Sequence, residues 1–285
     1  MRCASAGSSP ECPRSGPAPR EDASLRQPVE GTFENSGRRL CFLESGPAEA
    51  SPAVVFVHGA GGTREGWARL TLHLVRRGRR ALALDLPGHG RSGGLGCGRI
   101  EEYAGHVLRF LEVQGLRQPV LAGHSMGGGI ALACALAKPR ALGGLVLLGT
   151  GARLRVHESI LQGVRADFAR TVASIVGHLF APGAPPVLAE EGRRELLACR
   201  PEVMEGDFRA CDAFDVMNRL GEIALPALVL CGEKDALTPP KYSHHLAGNI
   251  PGARLEMVEA AGHMLMLEQP ARAGEAIAAF LETLP

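Results

Sequence analysis

The stretch Pro119-Val-Leu-Ala-Gly-His-Ser-Met-Gly-Gly-Gly-Ile130 decides how the chain is read. Val120 to Ala122 form a short apolar run, the mark of a buried strand. Ile130 to Ala137 have the composition of a good helix former. Between them lies Gly123-His124-Ser125-Met126-Gly127, a G-x-S-x-G pattern. A chain that leaves a buried strand for a helix within so few residues must turn sharply. The residue at the apex takes strained backbone angles and projects from the turn. Its neighbours two positions away come close together and must be small, which Gly123 and Gly127 satisfy; Gly128 and Gly129 ease the contact of helix on sheet. A serine placed there has its hydroxyl at a helix N-terminus, where backbone N–H groups point outward and the dipole favours negative charge. Five-residue matches to this pattern also arise by chance, so its weight comes from the strand–turn–helix setting and from partners elsewhere.

Outward from this unit the same alternation repeats. A hairpin is expected where Gly31 to Asn35 and Arg39 to Glu44 flank the turn dipeptide Ser36-Gly37. Ala53 to Val57 read as a buried strand ending in His58-Gly59-Ala60-Gly61-Gly62, a glycine cluster that lets backbone approach a ligand closely. Trp67 to Arg77 read as an amphipathic helix and Ala81 to Asp85 as a strand. The tight loop Leu86-Pro-Gly-His-Gly-Arg-Ser92 follows, in which His89 lies between two glycines and reads as structural. Glu101 to Gln114 form a helix with Val107, Phe110 and Leu111 on one side, and Leu145 to Leu148 a strand ending at Gly149-Thr150. Strand and helix in alternation mean a parallel sheet with helices on both faces, whose ligands bind beyond the carboxyl ends of the strands.

Residues 151–222 break the alternation. Leu161, Val164, Phe168, Val172, Ile175 and Leu179 recur at steps of three and four, one helical apolar stripe. Helical zones follow over Ala189 to Cys199 and Phe208 to Leu220. An all-helical stretch inside an α/β chain is an inserted cap, expected to lie as a lid over the strand ends. Part of the stripe should pack on the sheet domain and the remainder line the space above Ser125, so Phe168 and Val172 are expected to touch substrate, as are Gly59 and His124 at the strand ends. Asp207, Asp212 and Asp215 read as solvated helix faces.

The α/β pattern then resumes. Pro226 to Cys231 form a strand followed at once by Gly232-Glu-Lys-Asp235; Arg254 to Val258 form a last strand followed by Glu259-Ala-Ala-Gly-His263. Two more strand ends thus deliver an acid and a histidine. A serine hydroxyl is a poor nucleophile until a base removes its proton, imidazole suits that task near neutral pH, and an acid fixes the base's tautomer. The chain order is Ser125, Asp235, His263. Glu233 is two residues away from Asp235 and would point elsewhere; His244 and His245 fall in a helix rather than at a strand end.

These pieces resemble the α/β-hydrolase superfamily, in its cap-bearing, esterase-like branch with a serine nucleophile. The resemblance rests on Phe56-Val-His-Gly-Ala60, Asp85 to Ser92, Gly123 to Gly127, Gly232 to Pro239 and Ala261-Gly-His263, in family order across residues 29–284. It implies a mostly parallel eight-stranded sheet, Ser125 as nucleophile, Asp235 as acid, His263 as base, and the N–H groups of Ala60 and Met126 as oxyanion hole. It implies no cofactor and no metal. The expected organisation is a disordered tail over 1–27, a hydrolase core over 28–150 and 223–285, and a cap over 151–222. The expected activity is cleavage of small to medium apolar carboxylic esters through an acyl-enzyme. C–C bond hydrolysis, enol-lactone hydrolysis and cofactor-free perhydrolysis are the alternatives that use the same residues.

Composition agrees with such an enzyme. The chain has 285 residues, 45% hydrophobic and 21% charged, with a net charge of +1. Near-balanced charge and only 4% aromatic residues argue against nucleic acid as a partner, and no apolar run reaches membrane-spanning length. The expected partner is a small-molecule ester, without a membrane, and the expected assembly a monomer or homodimer. Eight scattered cysteines without metal-ligand spacing fit the reducing cytoplasm. Residues 1–27 lack the apolar segment of a secretory signal and the periodicity of a packed element.

Overall fold

A computed structural model describes residues 27–284. The tail expected over 1–27 lies outside the described residues but for Gln27. Eight strands, β1 (Val29–Asn35), β2 (Arg38–Ser45), β3 (Val54–Val57), β4 (Ala81–Leu84), β5 (Val120–His124), β6 (Gly144–Leu148), β7 (Ala227–Gly232) and β8 (Arg254–Val258), form one sheet in the order β1-β2-β4-β3-β5-β6-β7-β8. β1 pairs antiparallel with β2, and β2 antiparallel with β4; every other pair is parallel. The hairpin turns at Ser36-Gly37, both at positive φ.

Helices cover both faces because the central strands are apolar on both sides. Val55, Val57, Leu121, Leu145, Leu147 and Val229 point to one face. There they pack with helices α2 (Ile100–Val113), α3 (Met126–Ala137) and, further along the chain, α8 (Pro240–Asn249). Their neighbours Val54, Phe56, Val120, Ala122, Val146, Leu148, Leu228 and Leu230 point to the other face. They meet α1 (Ala68–Val75), α9 (Leu265–Glu268) and α10 (Pro270–Glu282). The period of two along each strand thus divides the core into two apolar layers. Trp67 is buried in the second, stacked on Phe56 with ring centroids 4.6 Å apart.

Between β6 and β7 the chain inserts four helices, α4 (Glu158–Ala166), α5 (Phe168–Val176), α6 (Pro186–Ala198) and α7 (Pro201–Ala213). The stripe from Leu161 to Leu179 is not one helix. Asp167 leaves helical angles (φ −153°, ψ 85°), and its carboxylate accepts the Arg170 N–H at 3.1 Å, capping α5. A short acidic side chain that can satisfy the backbone ends one helix and starts the next. Pro186 opens α6 at its first position, where a missing N–H costs nothing. The insertion has its own apolar core of Val164, Val172, Ile175, Leu179, Leu196 and Met204, with Phe168 packed against it.

Candidate active site

The three residues that sequence reasoning picked out lie at the carboxyl ends of β5, β7 and β8. Ser125 has φ 53° and ψ −117°, a strained conformation for a residue with a side chain. The turn closes around it because the residues two positions away on either side carry no side chain. A methyl group on Gly123 would stand 2.1 Å from the Gly127 carbonyl oxygen, and one on Gly127 2.1 Å from that of Val57. The Ser125 N–H donates to the Leu148 carbonyl at 3.0 Å, and its own carbonyl accepts the Thr150 hydroxyl at 2.7 Å. Thr150 therefore braces the turn from the end of the neighbouring strand, a role invisible in the sequence.

His263 and Asp235 are buried together. His263 Nδ1 lies 2.9 Å from Asp235 Oδ2 and 3.1 Å from Oδ1. The carboxylate also accepts the backbone N–H groups of Leu237 and Thr238 at 2.9 and 2.8 Å and the Thr238 hydroxyl at 2.8 Å. Burial pushes the Asp235 carboxyl up, but the adjacent His263 and the Thr238 donors outweigh it and hold the group below the ordinary carboxylate range. Glu233 is exposed and takes no part.

Two more histidines frame the site. His124 Nε2 donates to the His263 carbonyl at 3.0 Å, and the two rings lie 4.6 Å apart. His58 accepts the Leu86 N–H on Nε2 at 3.1 Å, so its proton sits on Nδ1 and goes to the Gly59 carbonyl at 2.8 Å. Burial pushes both imidazoles down to about 3, with the neighbouring histidine adding to the effect in each case. Both are neutral scaffolding. The loop carrying His263 is held from outside as well: Glu268 accepts the N–H groups of Gly262 and Ala181 at 2.9 and 2.8 Å, tying this loop to the insertion.

Two cavities meet at Ser125, Ala60 and His263. The smaller, about 90 Å³, has an apolar wall of Trp67, Ile175, Leu179, Leu196, Phe208 and Met266, with Gly59 and His124 beside Ser125. Glu195 is its one carboxyl, with Oε1 accepting both the N–H and the hydroxyl of Thr63 at 2.9 and 2.8 Å. Burial raises the Glu195 carboxyl above its ordinary value. The larger, about 410 Å³, runs past Leu154, Ile160 and Phe208 towards Arg155, His157, His178 and Tyr242. Ile175 and Leu179 of the expected stripe reach these walls. Phe168 and Val172 do not: they pack within the insertion's own core. Phe208 of α7, which borders both cavities, carried no periodic signal. Met126 has its side chain fully buried and offers only its N–H at the first turn of α3.

A second correction concerns the aspartates of the insertion. Asp215 is exposed and paired with Arg153, and Asp212 is half-buried. Asp207 is fully buried, because His89, Tyr103 and the Gly61 N–H all donate to it.

A model of the Alpha/beta hydrolase family matches residues 54–276. The chain belongs to that family. This hydrolase is 31% identical over 270 residues to the dihydrolipoyllysine-residue acetyltransferase component of the acetoin cleaving system of Pseudomonas putida, across 89% of this chain and 70% of that protein. It is 29% identical over 235 residues to a 2-hydroxy-6-oxononadienedioate/2-hydroxy-6-oxononatrienedioate hydrolase of Cupriavidus pinatubonensis, across 75% of this chain and 81% of that one. Among solved structures it superposes on a thermophilic esterase with a TM-score of 0.81 and 30% identity, over 91% of this chain and all of the other. The hydrolase also has no group of described residues suited to hold a metal ion, and no described helix long and apolar enough to cross a membrane.

Proposed function

We propose that this hydrolase cleaves carboxylic esters with short to medium apolar acyl groups through an acyl-enzyme. The observation that carries the reading is a strained serine at a helix N-terminus sharing two cavities with a buried, carboxylate-bound histidine. His263 takes the Ser125 proton as the hydroxyl attacks the ester carbonyl, and Asp235 keeps the histidine's other nitrogen protonated and stabilises the imidazolium. The N–H groups of Ala60 and Met126 receive the negative oxygen, with the N-terminus of α3 behind them. His263 then protonates the leaving alcohol, and a water activated by the same histidine releases the acid.

The smaller cavity suits the acyl group, which stays on Ser125 while the alcohol departs and leaves as the acid only after the second half-reaction. The larger suits the alcohol, which leaves first. A cavity of about 150 Å³ holds the six carbons of benzene, so one of about 90 Å³ takes roughly three or four carbons. Each accepted methylene adds at most about 0.8 kcal/mol. Across p-nitrophenyl esters from acetate to palmitate, kcat/KM should therefore rise to about butyrate and then drop. A steady rise to palmitate would make the insertion a mobile lid and the enzyme a lipase. A fluorophosphonate should label the protein once, at Ser125, and Ser125→Ala should cost on the order of a millionfold in turnover. Labelling elsewhere refutes the mechanism.

The likeness to the Cupriavidus enzyme favours a second reading, C–C bond hydrolysis with the same residues. A substrate panel with product identification separates the two. The six described cysteines are unpaired, which supports a reducing compartment such as the cytoplasm.

A further inference from the structure

Asp207 has no part in the chemistry above, yet among the described residues it is the most completely buried carboxylate outside the site. It lies on α7, in the insertion, and reaches three separate parts of the core. Oδ2 accepts the Gly61 N–H at 2.9 Å and faces His89 Nε2 at 2.8 Å; Oδ1 accepts the Tyr103 hydroxyl at 2.6 Å. His89 Nδ1 meets the Pro87 carbonyl at 3.0 Å, which can only accept, so both ring nitrogens face acceptors and the ring is an imidazolium beside a carboxylate. Burial alone would push His89 down, but the charge and hydrogen bond of Asp207 hold it above its ordinary value.

The Gly61 contact is the informative one. The Gly62 N–H donates to the Gly59 carbonyl at 3.1 Å, so Gly59 to Gly62 form a β-turn around Ala60. Gly61 stands at its third position with φ +66°, the signature of a type II turn. Three of the four residues are glycines, which have little intrinsic preference for this form over type I. Flipping the Ala60–Gly61 peptide would interconvert the two and aim the Ala60 carbonyl where the Gly61 N–H now points. Asp207 forbids that flip, because a carbonyl oxygen would then face a buried carboxyl group. The flip would leave the Gly59–Ala60 peptide itself unrotated, so what the bond secures for the Ala60 N–H is the position of the turn, held at the residue directly after Ala60. Met204, one turn earlier on α7, closes over the same Gly61 from the side.

We propose that Asp207 is a positioning residue for the oxyanion hole: by accepting the Gly61 N–H it lets the insertion fix the turn that presents the Ala60 N–H. The proposal rests on the role given to Ala60 above. It makes the insertion part of the apparatus that stabilises the transition state, as well as a wall of the cavities. His89 and Tyr103 are further donors to the same carboxyl group, and neither hydrogen-bonds to the turn.

The test uses the full chain and p-nitrophenyl butyrate. Asp207→Asn offers one acceptor oxygen and an amide donor to three donors, so the turn loses its anchor or gains a repulsive contact. Its kcat should fall roughly ten- to hundredfold, less than the loss of a whole oxyanion donor, with KM within about threefold. Affinity for an aryl trifluoromethyl ketone, which Ser125 converts to a hemiketal oxyanion, should fall by the same factor as kcat/KM. Tyr103→Phe removes a donor from Asp207 without touching the turn. It should lower the melting temperature and leave kcat within about threefold. Fluorophosphonate labelling of the wild type judges the serine mechanism separately. A labelled wild type with an unchanged kcat in Asp207→Asn overturns the proposal alone, as does equal loss of kcat in Asp207→Asn and Tyr103→Phe. If Asp207→Asn does not fold, amide exchange in the wild type decides. Protection of the Gly61 N–H, with a shift of its resonance when the ketone adduct forms, supports the proposal; exchange as fast as that of an exposed loop amide overturns it.

Discussion

Replacing His124 with glutamine should make the protein markedly more resistant to mild acid. His124 is buried against His263 and held neutral, with its imidazole pushed down to about 3. In the unfolded chain it returns to the ordinary value near 6.5. Between those limits the unfolded chain binds a proton that the folded chain refuses, so stability is lost as pH falls from about 6.5 towards 3. At pH 5, one and a half units below 6.5, the loss is about 2 kcal/mol for this one group, at 1.36 kcal/mol per unit. His58, also pushed down to about 3, adds a similar amount, so the pair removes about 4 kcal/mol of a stability that is ordinarily 5–15 kcal/mol. His89 behaves oppositely: its raised value contributes stability below about 6.5 that is lost as pH rises, but this is common to both proteins and cancels. Glutamine can place an N–H near the position of Nε2 and keep the bond to the His263 carbonyl. Urea unfolding followed by the fluorescence of Trp67, the chain's one tryptophan, gives the free energies at pH 7.5 and pH 5. The wild type should lose about 2 kcal/mol more than His124→Gln across that interval. Equal losses would mean that His124 is protonated in the folded state, and the account of a neutral scaffold histidine would fail.

Other outcomes follow from the same geometry. Asp235→Asn should lower kcat by about four orders of magnitude, whereas Glu233→Gln, at an exposed site, should leave it within about twofold; the reverse ranking on p-nitrophenyl butyrate would move the acid to Glu233. Gly127→Ala would press a methyl group against the Val57 carbonyl oxygen at 2.1 Å, and should destabilise by about 3 kcal/mol or prevent folding. Gly105→Ala, on the exposed side of α2 with nothing within 4 Å, should instead stabilise by about 0.5–1 kcal/mol. Denaturation midpoints that move in the same direction for both glycines would contradict the packing described around Ser125.

The strands and the residues at their ends were legible because both signals are local. Val54 to Val57 or Val120 to Ala122 can only be buried runs, and the period-two alternation inside them sorts the two core layers without knowledge of the partners. Ser125, Asp235 and His263 stood out because each follows a strand within a few residues. Phe168 and Val172 were misplaced for the opposite reason. A stripe at helical spacing says that residues share a face, not what the face meets, and here that face divides between the insertion's own core and the cavity walls. Asp207 was illegible because its partners Gly61, His89 and Tyr103 lie more than a hundred residues away; nothing near it in sequence distinguishes a buried aspartate from a solvated one. Phe208, its neighbour, reached the cavities unannounced on the same account.

The bonds that Asp207 makes have a bearing on protein engineering. Helical insertions between β6 and β7 invite treatment as cassettes, to be exchanged between homologous scaffolds in search of new specificity. Here the cassette carries a carboxyl group that the scaffold depends on. A transplanted segment of suitable shape but with an uncharged side chain at this place would leave His89, Tyr103 and the Gly61 N–H without their common acceptor, three buried donors at about 1–3 kcal/mol each. Chimaeras of this enzyme should therefore be chosen by whether the donor segment brings an acid to that position, before its cavity lining is compared at all.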